Sequence, residues 1–333
     1  MGHARTHILC LLALALTGCW TTAEDVDSGP PPGVSSSPSD SQAQRIAEAD
    51  AMRSSGNYEQ ALTLLQAVLA ENPTITTAYV GVGEIHLAQR DFQSAEPAFA
   101  RAAKLEPANF QAQYGHGVAL QMLGRLVEAV RAFRRALDLQ PENPRANLGM
   151  AMTLVASRDA AGALAFAEKA VANEPANGTA RANLGAIYEE IGRSDEAIEA
   201  YLAAIELLGN QPPLLMNLIN ALGKEKRYRE AANTAAVLLR IEETANACER
   251  LGWCHFKLRE YEESTAAYRR AIELDPDHWL SWNGLGVNAL NRWLLSDRAD
   301  DRARVEARDA LRRSLSINPR QERVIDLMLK YKF

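Results

Sequence analysis

The four cysteines and six histidines of this 333-residue chain are the first candidates for nucleophilic, redox or metal chemistry: Cys10, Cys19, Cys248, Cys254, His3, His7, His86, His116, His255 and His278. Their spacing argues against most of that chemistry. No His-Glu-x-x-His, no Cys-x-x-Cys and no glycine-rich phosphate loop occurs. No local signature pairs a histidine with a catalytic serine or cysteine. Cys248 and Cys254 are six residues apart on one predicted helix, which separates them by about 9 Å along the axis and puts them on different faces. They cannot bridge each other without unfolding that helix, and read as two small apolar packing residues. His86 and His255 recur at the place that Tyr188 takes in a repeated pattern, and read as packing residues as well. No catalytic residue, metal or cofactor is expected.

Cys19 is the exception, because of what precedes it. Residues 1–7 contain one arginine, two histidines and no acid, and residues 8–16 are an apolar run too short to span a bilayer. The run closes on Leu16-Thr17-Gly18-Cys19, which resembles the lipobox of bacterial lipoproteins. That resemblance implies a signal peptide over residues 1–18 and an acylated Cys19 as the first mature residue. A plain secretory signal cleaved near Ala23 is the alternative. With Trp20 rather than Asp behind the cysteine, the resemblance implies a cell-envelope protein, lipid-anchored on the periplasmic face of the outer membrane. Residues 19–42 are rich in Ser, Pro, Gly and Asp without periodicity, and read as a disordered tether.

The elements behind this leader are announced by composition. Hydrophobic residues make up 47% and aromatic ones only 6%, so alanine and aliphatic side chains carry the apolar content. That favours closely packed helices over a β-sandwich. The net charge of −6 is spread without long like-charge blocks, so no nucleic-acid partner is expected. Nor is a small-molecule substrate.

A 34-residue period organises the remainder. Gly56-Asn57-Tyr58-Glu59-Gln60-Ala61 with Pro73 is followed by Arg90-Asp91-Phe92-Gln93-Ser94-Ala95 with Pro107, then by Gly124-Arg125-Leu126-Val127-Glu128-Ala129 with Pro141. The series continues at Ala163, Ala197, Ala231 and Ser264. Small residues, among them Gly83, Gly117 and Gly185, recur where paired helices must approach. Phe99, Phe133, Tyr201 and Tyr268 recur as large fillers, and a proline stops most units. The pattern resembles the tetratricopeptide repeat. The resemblance implies an all-α fold: a right-handed α-solenoid superhelix of about eight helix-turn-helix units over residues 43–320, with a C-terminal capping helix at 321–333. The units fall near 42–75, 76–109, 110–143, 144–177, 178–211, 212–244, 245–278 and 279–320. The eighth is nine residues longer than the period, and the insertion is expected to lengthen its inter-helix turn around residues 293–302.

The family's concave groove binds peptides and partner proteins, and its geometry puts the second, fifth, ninth and twelfth residues of each unit on the wall. The resemblance therefore implies groove contacts from Val80, Leu87, Tyr114, Val118, Met152, Asn220, Trp253 and Phe256. Asn183 and Asn217, at one place in successive units, resemble two rungs of the asparagine ladder that grips peptide backbone in some relatives. The fifth position holds no lysine, so the carboxylate clamp of chaperone-binding members is not expected. Trp253 and Trp293 stand out as contact candidates among five tryptophans. Function by resemblance is then a non-enzymatic interaction scaffold of the envelope, similar to lipoproteins that assist assembly of pili or secretion complexes. The alternatives are an adaptor that recruits an envelope enzyme such as a peptidoglycan hydrolase or glycosyltransferase, and a cytoplasmic adaptor.

Overall fold

The computed structural model describes residues 37–333. Residues 1–36, with the signal peptide, Cys19 and most of the expected tether, lie outside the described residues. The described chain contains seventeen α-helices and no strand. The first eight are α1 (Asp40–Ser54), α2 (Tyr58–Glu71), α3 (Thr76–Ala88), α4 (Phe92–Leu105), α5 (Phe110–Met122), α6 (Leu126–Leu139), α7 (Pro144–Ala156) and α8 (Ala160–Asn173). There follow α9 (Gly178–Glu190), α10 (Ser194–Leu208), α11 (Pro212–Lys224), α12 (Tyr228–Ile241), α13 (Ala245–Lys257), α14 (Tyr261–Leu274), α15 (Trp279–Leu295), α16 (Asp301–Ile317) and α17 (Glu322–Tyr331). Each pairs with its sequence neighbours, so the array is an all-α solenoid.

Local chemistry sets these boundaries. Asn109, Asn143 and Asn177 each accept the amide of the residue three further on, capping α5, α7 and α9. Ser39 and Gln42 form a reciprocal capping box. The first helix therefore starts at Asp40, and the tether expected to run to residue 42 ends earlier. Between the two helices of a unit, one residue takes a left-handed conformation: Gly56, Arg90, Gly124, Arg158, Gly192, Lys226 and Arg259, with φ between 59° and 82°. The turn geometry is imposed by the packing of the pair, because glycine and arginine adopt it alike.

The core is a chain of aromatic rings seated on glycines. The Phe99 ring of α4 fills the gap between α3 and α5; a Cβ on Gly83 would lie 2.6 Å from it and one on Gly115 2.2 Å. Tyr268 is held likewise between Gly252 and Gly284. Where α8 and α12 carry Ala167 and Ala235 at the filler position, the next first helix carries Asn183 and Arg250 instead of glycine. Filler and facing residue thus trade volume.

The junctions use a second device. Gln113 Nε2, Asn147 Nδ2, Arg181 Nε and Trp282 Nε1, the fourth residues of their units, donate to the carbonyls of Pro107, Pro141, Pro175 and Pro276 at 3.2, 2.9, 2.8 and 2.9 Å. Four unlike side chains make one contact because each offers an N–H at the same reach.

The eighth unit differs from expectation. Its extra nine residues lengthen α15 and α16 to 17 residues each, against 13 and 14 in a regular pair such as α3 and α4, and add only two to the turn. Helix extension satisfies backbone groups that a longer loop would leave to solvent. Trp293 lies in this extension and, against the expectation of a ligand contact, is core: it is 7% exposed. Its Nε1 donates to the Arg298 carbonyl at 3.1 Å, and its ring packs edge-on against Tyr331 at 6.1 Å.

Candidate peptide-binding groove

The first helices α3, α5, α7, α9, α11 and α13 present a common face made by residues spaced three and four apart. On α5 that face carries Tyr114, Val118 and Met122, and on α7 Leu148, Met152 and Val155. Tyr114, Val118, Leu148 and Val155 are half-buried, and Tyr114, Val118 and Val155 each pack one side on the core. Met122 and Met152 are 55% and 43% exposed. Met122 was missed by counting family positions, although its spacing of four from Val118 puts it on that face. Val80 and Leu87 are half-buried beside the Phe99 cluster.

Tyr114 is held on three sides. Its ring stacks on Phe110 at 5.8 Å, tilts against Phe133 at 5.9 Å, and carries the Arg145 guanidinium at 4.8 Å. Aromatic and cation–π contacts of this kind fix a side chain without covering it.

The second half of the face is polar. Asn183, Asn217 and Asn220 are half-buried. The Asn183 amide points at Met152 Sδ, 3.9 Å away, joining the apolar and polar halves. Lys224 and Glu189 pair at 2.8 Å across adjacent first helices. Glu249 is 6% exposed, with Arg250 Nε 2.8 Å away, and burial pushes its carboxyl above the usual range.

Trp253 and Phe256 are half-buried on α13. Trp253 is wedged: a Cβ on Gly223 would meet its ring at 2.7 Å, and Tyr228 stands edge-on to it at 5.5 Å. Much of the ring therefore joins two units rather than facing a ligand. Phe256 tilts against Tyr261 at 5.9 Å.

Cys248 and Cys254 are both buried free thiols, and burial pushes Cys254 up to about 12 and Cys248 upward. Neither is poised for nucleophilic work. Among the described residues, no group of three or more His, Cys, Asp or Glu could hold a metal ion, and no helix is long and apolar enough to cross a membrane.

Tetratricopeptide repeat profiles match residues 46–103, 83–144, 148–212 and 245–278. The chain belongs to the tetratricopeptide repeat family. This tetratricopeptide repeat array is 34% identical over 74 residues to tetratricopeptide repeat protein 37 of Xenopus laevis, covering 22% of this chain and 5% of that protein. It is 32% identical over 93 residues to small glutamine-rich tetratricopeptide repeat-containing protein 2 of Mycosarcoma maydis, covering 28% and 26%. The chain thus spans about a quarter or less of the length of these curated relatives. In structure it is similar to a tetratricopeptide repeat protein from Parabacteroides merdae, with TM-score 0.52, 16% identity, and coverage of 75% of this chain and 99% of that one. Pseudomonas aeruginosa PilF also matches, with TM-score 0.52, 18% identity, and coverage of 62% and 94%. At these identities the likeness is one of fold.

Proposed function

We propose that this protein is a scaffold of the bacterial cell envelope, anchored by acylation of Cys19, that holds a partner protein or peptide in the concave groove. The observation that carries the reading is the half-open wall of Val80, Leu87, Tyr114, Val118, Met122 and Met152. A soluble surface seldom leaves so continuous an apolar strip unless something covers it. Three asparagines beyond it offer both donors and acceptors to ligand backbone. The anchor rests on the Leu16-Thr17-Gly18-Cys19 motif, and the process on the resemblance to pilus and secretion assembly lipoproteins.

Affinity capture from detergent-solubilised membranes tests the groove, with wild type compared against Met152→Glu. A partner recovered equally by both proteins would refute it. Palmitate labelling that disappears in Cys19→Ser supports the anchor, and an unlabelled wild type overturns it. In the deletion strain, secretin subunits should remain unassembled or mislocalised; normal multimers would remove the proposed process.

A further inference from the structure

The eighth unit breaks the repeat at one buried position. At the tenth place of their units, α3, α5, α9, α11 and α13 carry Ile85, Ala119, Ile187, Ala221 and Cys254, all buried and without a side-chain oxygen or nitrogen. At that place α15 carries Asn288, which is 3% exposed. Its Nδ2 donates to Ser264 Oγ at 2.8 Å and to Thr265 Oγ1 at 3.2 Å. Those two hydroxyls spend their own protons on the carbonyls of Gly252 and Tyr261, at 2.7 and 2.8 Å, so each offers Asn288 only a lone pair. The amide orientation is thereby fixed, and the atom left without a partner is Oδ1. A buried acceptor in that state is uncommon in folded proteins and calls for a donor.

Asn288 lines a cavity of about 620 Å³ between α14 and α15, with the turn that precedes α14 also in its lining. One wall exists only in this unit: Arg292 and Leu295 are the fourteenth and seventeenth residues of α15, in the part that exceeds the 13 residues of α3. None of the groove residues lines it. Three arginines and three glutamates do, but most are already paired. Arg269 and Arg292 are held by Glu306 at 2.7 and 2.6 Å, with Asp300 3.3 Å from Arg292, and Glu260 is taken by Arg229 and His255. Among the described lining residues that leaves two exposed, unpaired carboxylates, Glu262 and Glu263, against one unpaired cation, Arg259. The surplus is negative, and it lies beside the unpartnered acceptor.

We propose that this cavity takes a basic side chain of a partner segment, arginine in preference to lysine. One guanidinium arm donates to Asn288 Oδ1, and the others reach the carboxylates of Glu262 and Glu263. Arginine presents its donors as a planar fork and carries no acceptor, which matches three free acceptors better than a single ammonium does. Tyr261, Ala266 and Leu295 supply apolar surface for its methylene stem. Because the cavity lies apart from the groove wall, the inference stands independently of what the groove binds.

Titration of the isotope-labelled full chain in detergent with the blocked tripeptide acetyl-Ala-Arg-Ala-amide, read by amide chemical shifts, is the test. Shifts should saturate at residues 259–269 and 288–295 and leave Tyr114 and Met152 in place. Asn288→Leu restores the apolar type of the other units and strands no donor, so it should keep its helical signal while raising the dissociation constant at least about tenfold. Changing Glu262→Gln together with Glu263→Gln alters only exposed positions; it should weaken binding several-fold and flatten its salt dependence. The citrulline tripeptide, of similar shape without the charge, should bind several-fold more weakly than the arginine one, and the glutamate tripeptide should not saturate. An arginine peptide that produces no saturable shift overturns the proposal, as does unchanged affinity in Asn288→Leu or in the double glutamine variant. Equal affinity for the citrulline or glutamate peptide, or shifts centred on the groove, would overturn it as well.

Discussion

The Phe99 ring lies so close over Gly115 that a Cβ there would stand 2.2 Å from Cε1. Phe99 is 1% exposed and seated on Gly83 on its other side, so the ring has nowhere to move. Gly115→Ala should therefore destabilise the array by about 2–3 kcal/mol, an overpacking cost that outweighs alanine's better helix propensity. Urea unfolding followed by circular dichroism checks this; a neutral or stabilising result would show that the ring can yield.

Ala167 and Asn183 occupy the places that Phe99 and Gly115 occupy two units earlier. If volume is shared between these positions, Ala167→Phe should cost about 2–3 kcal/mol beside Asn183. Combined with Asn183→Gly it should recover about 1–2 kcal/mol relative to the sum of the single changes. Strict additivity in the double-mutant cycle would sink the idea. Asn217 shows the limit of the exchange, since it faces the unit of Tyr201, whose hydroxyl donates to Glu189 at 3.1 Å.

Trp253 and Met152 both belong to the groove face by position but should separate experimentally. Trp253→Ala empties a wedge between Gly223 and Tyr228 and should destabilise by about 3 kcal/mol. Met152→Glu, at 43% exposure, should change stability by less than about 0.5 kcal/mol while impairing partner capture. Equal stability of the two variants would mean that the tryptophan is free.

Arg158 holds φ at 63° in the turn between α7 and α8. A non-glycine residue in that region is strained by about 1–2 kcal/mol, and glycine's extra unfolded-state entropy cancels part of the relief. Arg158→Gly should therefore stabilise by about 0.5–1 kcal/mol in thermal unfolding, and a lower melting temperature would contradict it.

His116 supplies a pH dependence. Burial pushes its pKa below the ordinary 6.5, against the opposing pull of Glu96, whose Oε1 is 3.2 Å from Nε2. Arg135 and Arg125 push in the same direction as burial. The contact with Glu96 is therefore a hydrogen bond donated by a neutral ring at neutral pH. Below about 6.5 the unfolded chain takes up this proton before the folded one, so the stability present above that value declines as pH falls toward the folded-state pKa. In His116→Gln that part of the acid-side slope should vanish; an unchanged slope measured by denaturant titration would assign it elsewhere.

Much of this architecture is legible in the chain itself. The period, the helix pairs and the small residues at close approaches all follow from contacts between sequence neighbours, because each unit buries itself only against the next. What remained hidden depends on where a side chain points once three helices have met. Gln113, Asn147, Arg181 and Trp282 have no common chemistry in a sequence beyond an N–H, and only the packed junction aims all four at a proline carbonyl. Trp293 reads as an exposed aromatic until the lengthened helices and α17 enclose it. Trp253 sits at a groove position, yet Gly223 on the preceding unit leaves the space that draws its ring inward. Sequence by itself determined the repeat and its register through local propensity and volume; tertiary structure decided which residues the groove keeps, because that choice rests on free space supplied by a neighbouring unit.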